Sequence, residues 1–430
     1  MLPRATRCAG CSTCWACRRS EANAARGGRF ATIAAGQVDM TASPEIPASG
    51  NAVDAEWLQR ALAAGGAAGL PAIREVAVEV VGGGFGLLGE ILRCRMTWEE
   101  DREAAPASVI VKLPSPDPKS VSLCKRLSLY EHEYDFYRHI GRQAPMRSPA
   151  LLYGDFEAGS HRFVLVLEDL GGMVPGDQIA GATAEQARRV VRALARMHGH
   201  FWNRTDRPPL AGFHDSFSPK RLKLLQLAYL ANLAPALDRI EGLFAGEMRR
   251  VAKAYGVSVV DYLGRTAAAP TTFVHGDVRL DNMFFDGGDG IAMIDWQVCG
   301  IGSGLYDVAY FLGSNIPTEL RREIERDTLM EYRDIVAGMG AENFTFEDCW
   351  QLYRRNMLSL LMTAVLVCGS LDLGDDRKRR LVETGVRRTL NAIEDLSAAE
   401  FLPARRPVFS LANGLSILFG AAYRLRRALR

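Results

Sequence analysis

The sequence FVHGDVRLDN occupies residues 273–282, and IDWQ occupies residues 294–297. Two short apolar runs lie between them, at residues 283–285 and 291–294, and they are separated by DGGDG. Apolar runs on both sides of a glycine-rich turn predict a β-hairpin. The sequence therefore predicts two short strands that carry polar residues at their open end.

The polar residues at this open end suit one kind of chemistry. Asn282 begins the first predicted strand and Asp295 ends the second. The midpoint between them falls inside the turn, so we expect the two residues to be cross-strand neighbours. Paired oxygen donors suit Mg²⁺, which keeps waters and substrate phosphates as its other ligands. Asp277 lies upstream on an irregular loop, where its carboxylate would orient a hydroxyl for phosphoryl transfer from a nucleotide. A hairpin with acidic residues on its solvent face is the alternative.

This constellation resembles a known family. The HGD sequence at residues 275–277, together with Asn282 and Asp295, is similar to the signature of the aminoglycoside phosphotransferase-like kinases, which include choline, homoserine and ecdysteroid-kinase-like enzymes. The resemblance covers roughly residues 70–400. It implies an α+β, two-lobed protein-kinase-like fold with an N-terminal antiparallel sheet and a larger, mainly helical C-terminal lobe. It also implies that Asp277 is the catalytic base and that Asn282 and Asp295 bind the metal.

A glycine-rich segment precedes these motifs. Residues 75–81 alternate as a strand, residues 88–96 resume as a second strand, and GGGFG lies between them. A Walker loop or a dinucleotide fingerprint would instead open a helix. We interpret the segment as a hairpin flap over nucleotide phosphates, although such hairpins are often only turns. The glycines expected to approach the phosphates are Gly83, Gly84 and Gly86.

Lys112 stands in the apolar strand SVIVKLP at residues 108–114. Burying an unpaired ammonium group is costly, so this lysine needs anionic partners. Nucleotide phosphates and a helix carboxylate would supply them, and Glu131 and Glu133 are both available on the next predicted helix. We choose Glu133 because the segment that follows it resembles the Glu-x-x-Phe-Tyr pattern of the family. The alternative is a surface lysine on an edge strand.

The apolar run at residues 163–167 predicts a buried strand. Glu168, Asp169 and Leu170 follow it and are interpreted as a hinge. The resemblance implies that this segment joins the lobes and that its backbone amide and carbonyl hydrogen-bond the adenine of ATP. A plain linker is the alternative.

We divide the chain into a disordered extension at residues 1–40, an N-terminal lobe at residues 41–170, a helical C-terminal lobe at residues 171–400 and an amphipathic tail at residues 401–430. The tail is too short to span a bilayer. It would lie weakly on an anionic membrane surface or, as we favour, pack on the helical lobe. A start codon assigned too early is a second explanation of the extension. In a third interpretation, four cysteines of the extension bind zinc or an iron–sulfur cluster. These are Cys8, Cys11, Cys14 and Cys17.

Several residues of the C-terminal lobe have more than one interpretation. Arg279 would reach the transferred phosphoryl group, or form a salt bridge with Asp281 or Asp307. Asp307 would brace the catalytic loop through backbone amides, or cap a helix. His198, at the end of a helix that begins at a capping box, is interpreted as a packing and hydrogen-bonding residue.

Composition limits the function classes. The chain of 430 residues carries 52 basic and 50 acidic residues, a net charge of +2 that argues against nucleic acid as the main ligand. No apolar run is long enough for a transmembrane helix. Scattered cysteines in the body of the chain are typical of buried thiols in a reducing compartment, so we expect a cytoplasmic protein.

The sequence thus predicts an ATP- and Mg²⁺-dependent phosphotransferase that acts on a hydroxyl of a small molecule. The alternative is an inactive kinase-like module that binds a nucleotide or another ligand. A protein kinase is disfavoured, because HGD replaces His-Arg-Asp and no Ala-Pro-Glu segment follows Asp295. The acceptor and the oligomeric state stay open.

Overall fold

The computed structural model describes residues 43–403 and 410–429, apart from residues 68, 82–87, 101–104, 214, 216–217, 241, 267–269 and 372–373. Two of the sequence predictions lie outside the described residues. They are the glycine flap with Gly83, Gly84 and Gly86, and the cysteine cluster with Cys8, Cys11, Cys14 and Cys17.

The N-terminal part is built on an antiparallel sheet of five strands, as predicted. In chain order these are β1 (Ile73–Val80), β2 (Gly89–Trp98), β3 (Ser108–Pro114), β4 (Leu151–Glu157) and β5 (Arg162–Glu168). They are arranged in the order β1-β2-β3-β5-β4. Lys112 of β3 is paired with Ile91 on one side and with Leu165 on the other, so it lies on a central strand and not on an edge.

Three helices accompany this sheet. Helix α1 (Ala55–Ala64) begins after Asp54, whose carboxylate accepts a hydrogen bond from the backbone N–H of Trp57 at 2.8 Å. Helix α2 (Pro118–Leu127) was not predicted, because Cys124 is its one buried residue and its apolar periodicity is therefore weak. Helix α3 (Leu129–Asp135) follows, and the chain continues as a π-helical turn over Phe136–Ile140.

The C-terminal part is mainly helical. Its helices are α4 (Ala184–Phe201), α5 (Pro219–Arg239), α6 (Gly246–Thr266), α7 (Gly304–Asn315), α8 (Thr318–Gly338), α9 (Phe346–Ser359), α10 (Leu361–Ser370), α11 (Asp376–Asp395) and α12 (Leu411–Ala428). The predicted capping box at the start of α4 is present. Thr183 Oγ1 accepts from the N–H of Gln186 at 3.2 Å, and Gln186 Oε1 accepts from the N–H of Thr183 at 3.0 Å.

Five short strands in this part of the chain surround the HGD segment. Three form one sheet and two form another; they are β6 (Val174–Pro175), β8 (Met283–Phe285) and β9 (Ile291–Met293) in the first, and β7 (Thr272–Val274) and β10 (Gly300–Gly302) in the second. Strands β8 and β9 are the predicted hairpin. The HGD segment begins directly after β7.

The predicted register of the hairpin is wrong by one residue. Phe285 is paired with Ile291, so the centre of the turn falls on Gly288. Asn282 consequently faces Ile294, whose N–H donates to the Asn282 carbonyl at 3.0 Å, and Asp295 lies one residue further on. The backbone of Asp295 has φ 65°, which leaves the strand and turns its side chain back towards Lys112.

Aromatic stacking joins the π-helical turn to the end of the hairpin. The rings of Phe136 and Trp296 lie with their centroids 3.8 Å apart and their planes 9° from parallel. Both side chains are fully buried, and Phe273 of β7 stacks beside them. The helix that carries Glu133 and the hairpin that ends at Asp295 are thus held together by one stack.

The C-terminal helix α12 packs on the helical lobe. The Tyr423 hydroxyl donates to Asp238 of α5 at 2.8 Å, and Arg427 forms an ion pair with the same carboxylate. The outer face of α12 keeps several large apolar side chains exposed, namely Leu411, Ile417, Leu418 and Leu425. Among the described residues, no helix is long and apolar enough to cross a membrane.

We predict that Phe136→Ala lowers the free energy of unfolding by about 3–5 kcal/mol, because it removes a buried aromatic ring and leaves a cavity. Urea unfolding followed by tryptophan fluorescence measures this. The control is Leu418→Ala, a 61% exposed position where the change should stay within about 0.5 kcal/mol. Equal effects of the two substitutions would contradict the role given to the stack.

Candidate active site

A buried lysine lies at the centre of the candidate site. Lys112 Nζ is 2.8 Å from the carboxylate of Glu133 and 2.9 Å from Asp295 Oδ1. Glu133 comes from α3 and Asp295 from the end of the hairpin, so one ammonium group joins three separate elements. The expected Lys112–Glu133 contact is therefore present, and Asp295 is a second partner that the sequence did not predict.

The surroundings keep Lys112 and Asp295 ionised. Burial disfavours the ammonium form of Lys112, but the charges of Asp295 and Glu133 outweigh burial and hold its pKa above the ordinary value. Burial likewise opposes the ionised form of Asp295, yet Lys112 lowers the pKa of this carboxylate. Burial raises the pKa of Glu133 against the pull of Lys112. Asp295 is therefore ionised at neutral pH.

Asp277 lies beside this cluster and is held by three donors. Arg279 Nε is 3.0 Å from Asp277 Oδ2, and the Tyr310 hydroxyl donates to Oδ1 at 2.8 Å. Asn282 Nδ2 donates to Oδ2 at 3.1 Å and to the Asp277 carbonyl at 3.0 Å. The carboxylate is one-quarter exposed, so it is oriented and still accessible.

Asp307 braces the loop that presents Asp277. Its carboxylate accepts from the backbone N–H of His275 at 2.7 Å and of Gly276 at 3.0 Å. Asp307 is fully buried in the first turn of α7, and His198 Nε2 lies 3.3 Å from it. Of the two interpretations of Asp307, the structure supports the brace, and His198 is a packing and hydrogen-bonding residue as expected.

His275 fixes the other side of this loop. Its Nε2 lies 3.0 Å from the carbonyl oxygen of Ile294, which can only accept, so Nε2 carries the proton. Its Nδ1 then accepts from the backbone N–H of Asp277 at 3.2 Å. The histidine is buried, and its two hydrogen bonds tie the loop to the hairpin, so it acts as a positioning residue.

Tyr310 and Asn315 are site residues that the sequence prediction missed. Asn315 is fully buried, accepts from the N–H of Leu280 at 2.9 Å and donates to the Val278 carbonyl at 3.1 Å. The spacing of Asp307 and Tyr310 was a usable signal, because residues three apart share one face of a helix. Asn315 gave no such signal in the sequence.

Arg279 has a different partner from those predicted. It pairs with Asp277, whereas Asp307 accepts from the catalytic loop and Asp281 accepts from the N–H of Gln178 at 3.1 Å. The predicted salt bridge to Asp281 or Asp307 is therefore wrong. The cause is the extended backbone of Arg279, with φ −95° and ψ 147°, which lets its side chain fold back on the residue two positions earlier.

A cleft of about 600 Å³ lies between the sheet and the hairpin. Its walls are apolar, with Ile110 on the sheet side and Phe284 on the hairpin side. The polar residues that line it include seven of the predicted site residues, namely Lys112, Glu133, Glu168, Asp169, Arg279, Asn282 and Asp295. An apolar cleft with charged residues at one end has the chemistry that a nucleotide site needs.

The hinge lies at one edge of this cleft. The carboxylate of Asp169 accepts from Arg93 Nε and from Ser108 Oγ, both at 2.7 Å, and so ties the hinge to β2 and β3. The Leu170 carbonyl accepts from the N–H of Met173, but the Leu170 N–H has no hydrogen-bond partner within the described chain. Glu168 uses its own N–H in a bond to Ala150.

Asn282 and Asp295 fit a magnesium ion that binds together with phosphates. The Nδ2 group of Asn282 is engaged by Asp277, which leaves its Oδ1 as the possible ligand, and Asp295 has a second oxygen beyond the one that contacts Lys112. Within the described ranges, no group of three or more His, Cys, Asp and Glu side chains would hold a metal alone. Any ion here would take its other ligands from waters and phosphates.

A second cavity, of about 400 Å³, meets the nucleotide-sized cleft. Lys112, Arg279 and Asp295 line both spaces, and Asp277 lines the second one. The wall of this cavity comes from α5, α6, α7, α9 and α10. The two spaces therefore meet at the charged cluster, with Asp277 on the side away from the hinge.

Comparison with known proteins agrees with this geometry. Residues 98–341, more than half of the chain, match the family model APH, described as the phosphotransferase enzyme family. None of the curated proteins matches the chain in sequence.

Solved structures of small-molecule kinases are similar in fold. Choline kinase from Cryptosporidium parvum is 12% identical, with 76% of this chain and 92% of that chain covered and a TM-score of 0.46. Ethanolamine kinase from Plasmodium vivax is 11% identical, with 75% and 83% covered and a TM-score of 0.45. Choline kinase from Streptococcus pneumoniae is 16% identical, with 75% and 94% covered and a TM-score of 0.43.

The first prediction from this site concerns Gly276. Its φ is 84°, and a Cβ there would lie 2.7 Å from the Val298 carbonyl oxygen. Gly276→Ala should therefore lower the free energy of unfolding by at least about 1 kcal/mol in urea unfolding. Gly159→Ala is the matched control, because no atom lies within 4 Å of its Cβ position. A Gly276→Ala protein as stable as the Gly159→Ala protein would refute the close approach.

The second prediction concerns the pH dependence of stability at the hinge. Burial alone would raise the pKa of Asp169, but hydrogen bonds from Arg93 and Ser108 hold it below the ordinary 3.8. Its stabilising effect is therefore complete above pH 3.8 and is lost as the pH falls through the lowered pKa. The stability difference between wild type and Asp169→Asn should shrink on going from pH 7 to about pH 3. A difference that is constant across this range in urea unfolding would contradict it.

Proposed function

Because the chain belongs to the APH phosphotransferase enzyme family, we propose that it transfers the terminal phosphoryl group of ATP to a hydroxyl of a small molecule with the help of Mg²⁺. The observation that carries the proposal is the position of Asp277. The second cavity, of about 400 Å³, is named the acceptor-sized cavity below. Asp277 lines it where it meets the nucleotide-sized cleft, next to the cluster of Lys112 and Asp295.

The cleft supports the assignment of ATP. Ile110 and Phe284 would enclose the adenine, and the unpaired N–H of Leu170 at the hinge would donate to a ring nitrogen. Lys112, held in place by Glu133, would contact the phosphates at the inner end. The predicted flap glycines would cover the phosphates from above; these are Gly83, Gly84 and Gly86.

The metal assignment rests on Asn282 and Asp295. Magnesium, when bound, would offset the charge on the triphosphate. The chain's own part is to hold Asp295 ionised through Lys112 and to hold the Asn282 amide in one orientation through Asp277. Both oxygens are thus oriented before a ligand arrives, and such preorganisation lowers the cost of binding.

Asp277 would accept a hydrogen bond from the acceptor hydroxyl and align its oxygen with the phosphorus. The new oxygen–phosphorus bond forms as the bond to the departing nucleoside diphosphate breaks, and the hydroxyl proton passes to Asp277 and then to solvent. Tyr310 and Arg279 hold the carboxylate in position during this step. Arg279 also lines both cavities, which places its charge next to the path of the phosphoryl group.

We predict that Asp277→Asn lowers the rate of acceptor-dependent ADP release by roughly 10²- to 10⁴-fold, because the amide cannot accept the proton. The variant should still bind ATP with Mg²⁺. In a thermal-shift assay, nucleotide at about 100 times its Kd stabilises a protein by roughly 2.7 kcal/mol. The control is Asp289→Asn, an exposed aspartate in the hairpin turn, which should keep wild-type activity.

Three outcomes separate the alternatives. Near-normal turnover by Asp277→Asn would reject the role given to this residue. Nucleotide binding without ADP release across a broad set of alcohols would favour the inactive binding module. No thermal shift with ATP and Mg²⁺ would reject the nucleotide assignment itself.

A further inference from the structure

The acceptor-sized cavity has a wall that is mostly apolar. Helices α5, α6 and α10 supply Leu225, Leu263, Met362 and Leu366. Such a surface is suited to a carbon chain and offers little to a heavily hydroxylated sugar, which would need many polar partners. The few polar groups in the wall should therefore decide which acceptor fits.

The cationic side chains that line this cavity differ in their partners. Three of them lie in the described part of the wall. Lys112 is paired with Glu133 and Asp295, and Arg279 is paired with Asp277. The remaining cation is Arg221.

Arg221 has no protein partner in the described chain. It lies in the first turn of α5, is partly buried, and forms neither a hydrogen bond nor an ion pair with any described residue. Burial lowers the pKa of Arg221, and the effects of Tyr306 and Asp215 oppose this only in part. A cation near a helix N-terminus is also disfavoured by the helix dipole. An anion bound in the cavity would remove both penalties.

Asn356 is a second unpaired group in the same wall. Its side chain is 1% exposed, and Nδ2 donates to the Leu352 carbonyl at 2.9 Å and to Ser303 Oγ at 3.1 Å. Because the carbonyl can only accept, the orientation of the amide is fixed. Oδ1 is then buried without a partner. A buried acceptor without a donor is costly, so Oδ1 would gain from a ligand donor once the side chains around it move to admit one.

We propose that the acceptor is a small hydroxy compound that carries an oxyanion, a carboxylate or a phosphate, at a short apolar distance from the hydroxyl that is phosphorylated. Arg221 binds the oxyanion, the apolar wall contacts the carbon chain, Asn356 Oδ1 accepts a hydrogen bond from a donor of the acceptor, and Asp277 receives the hydroxyl. This inference rests on the proposed function and adds the substrate class. Cationic amino alcohols and amino sugars are excluded, because they would meet the uncompensated charge of Arg221.

The test uses acceptors that differ in one group. Aliphatic hydroxy acids of several lengths are compared with their primary amides, with hydroxyalkyl phosphates and with amino alcohols of equal length, in an assay of ADP release by the full-length protein. We expect a KM for the best acid or phosphate that is roughly 10- to 100-fold below that of its neutral or cationic counterpart. The ratio between acids and phosphates identifies the oxyanion.

Arg221→Met tests the residue itself. It should raise the KM for the anionic acceptor roughly 10- to 100-fold while kcat and the KM for the amide change little. Arg221→Glu should reverse the preference towards amino alcohols. The matched control is Lys223→Met, an exposed position on the same helix, which should leave both KM values within about twofold. The thermal shift with ATP and Mg²⁺ verifies that each variant is folded.

The outcomes are separable from those of the proposed function. Equal use of acids, amides and amino alcohols by wild type would overturn the inference and keep the phosphotransferase. An equal rise in KM for all acceptors in Arg221→Met would also overturn the inference and keep the phosphotransferase. If no acceptor releases ADP, calorimetry with the same compounds in the presence of ADP and Mg²⁺ decides. Binding of the anionic compounds that disappears in Arg221→Met would support the anion site, and no binding of them would overturn it.

Discussion

The buried ammonium group of Lys112 is the constraint on which the site depends. A lysine on a central strand is tolerated only if carboxylates compensate its charge, and Glu133 and Asp295 do so from two other elements. Removing either carboxylate would take away one of the two anionic partners of this ammonium group. The sheet, the helix that carries Glu133 and the hairpin are therefore held relative to one another by two ion pairs at one ammonium group, and the stack of Phe136 on Trp296 supports that arrangement with apolar packing.

The loop that presents Asp277 is also held by buried polar contacts, which in this case engage its backbone N–H groups. Asp307 satisfies two consecutive N–H groups, and His275 satisfies a third while it contacts the hairpin. The N–H groups of residues 275, 276 and 277 are thus engaged, which limits the freedom of the loop and holds the carboxylate of Asp277 in one place. Gly276 is required in this loop, because the close approach of the Val298 carbonyl leaves no room for a side chain.

The two cavities show how general and specific chemistry are divided. The cleft and the charged cluster would provide what phosphoryl transfer from a nucleotide needs, and most of their polar residues lie in recognisable sequence motifs. The wall of the acceptor cavity comes largely from α5, α6, α9 and α10, which carry no recognisable motif. Arg221 and Asn356 lie there, far apart in sequence, and they distinguish this cavity from one suited to a cation. The choice of acceptor thus depends on helices whose sequences contain no recognisable motif.

The sequence by itself determined the fold class, the hairpin, the pairing of Lys112 with Glu133 and the set of polar residues at the charged cluster. The hairpin follows from a local pattern, because apolar runs on both sides of a glycine-rich turn have few physical solutions, whereas the fold class and the choice of Glu133 came from the resemblance to a known family. The register of Asn282, the partner of Arg279 and the contact between Lys112 and Asp295 were decided only by the tertiary structure. They depend on the exact centre of the hairpin turn and on the backbone conformation of single residues, left-handed at Asp295 and extended at Arg279. Long-range packing selects these conformations, and the local sequence contains almost no signal for them.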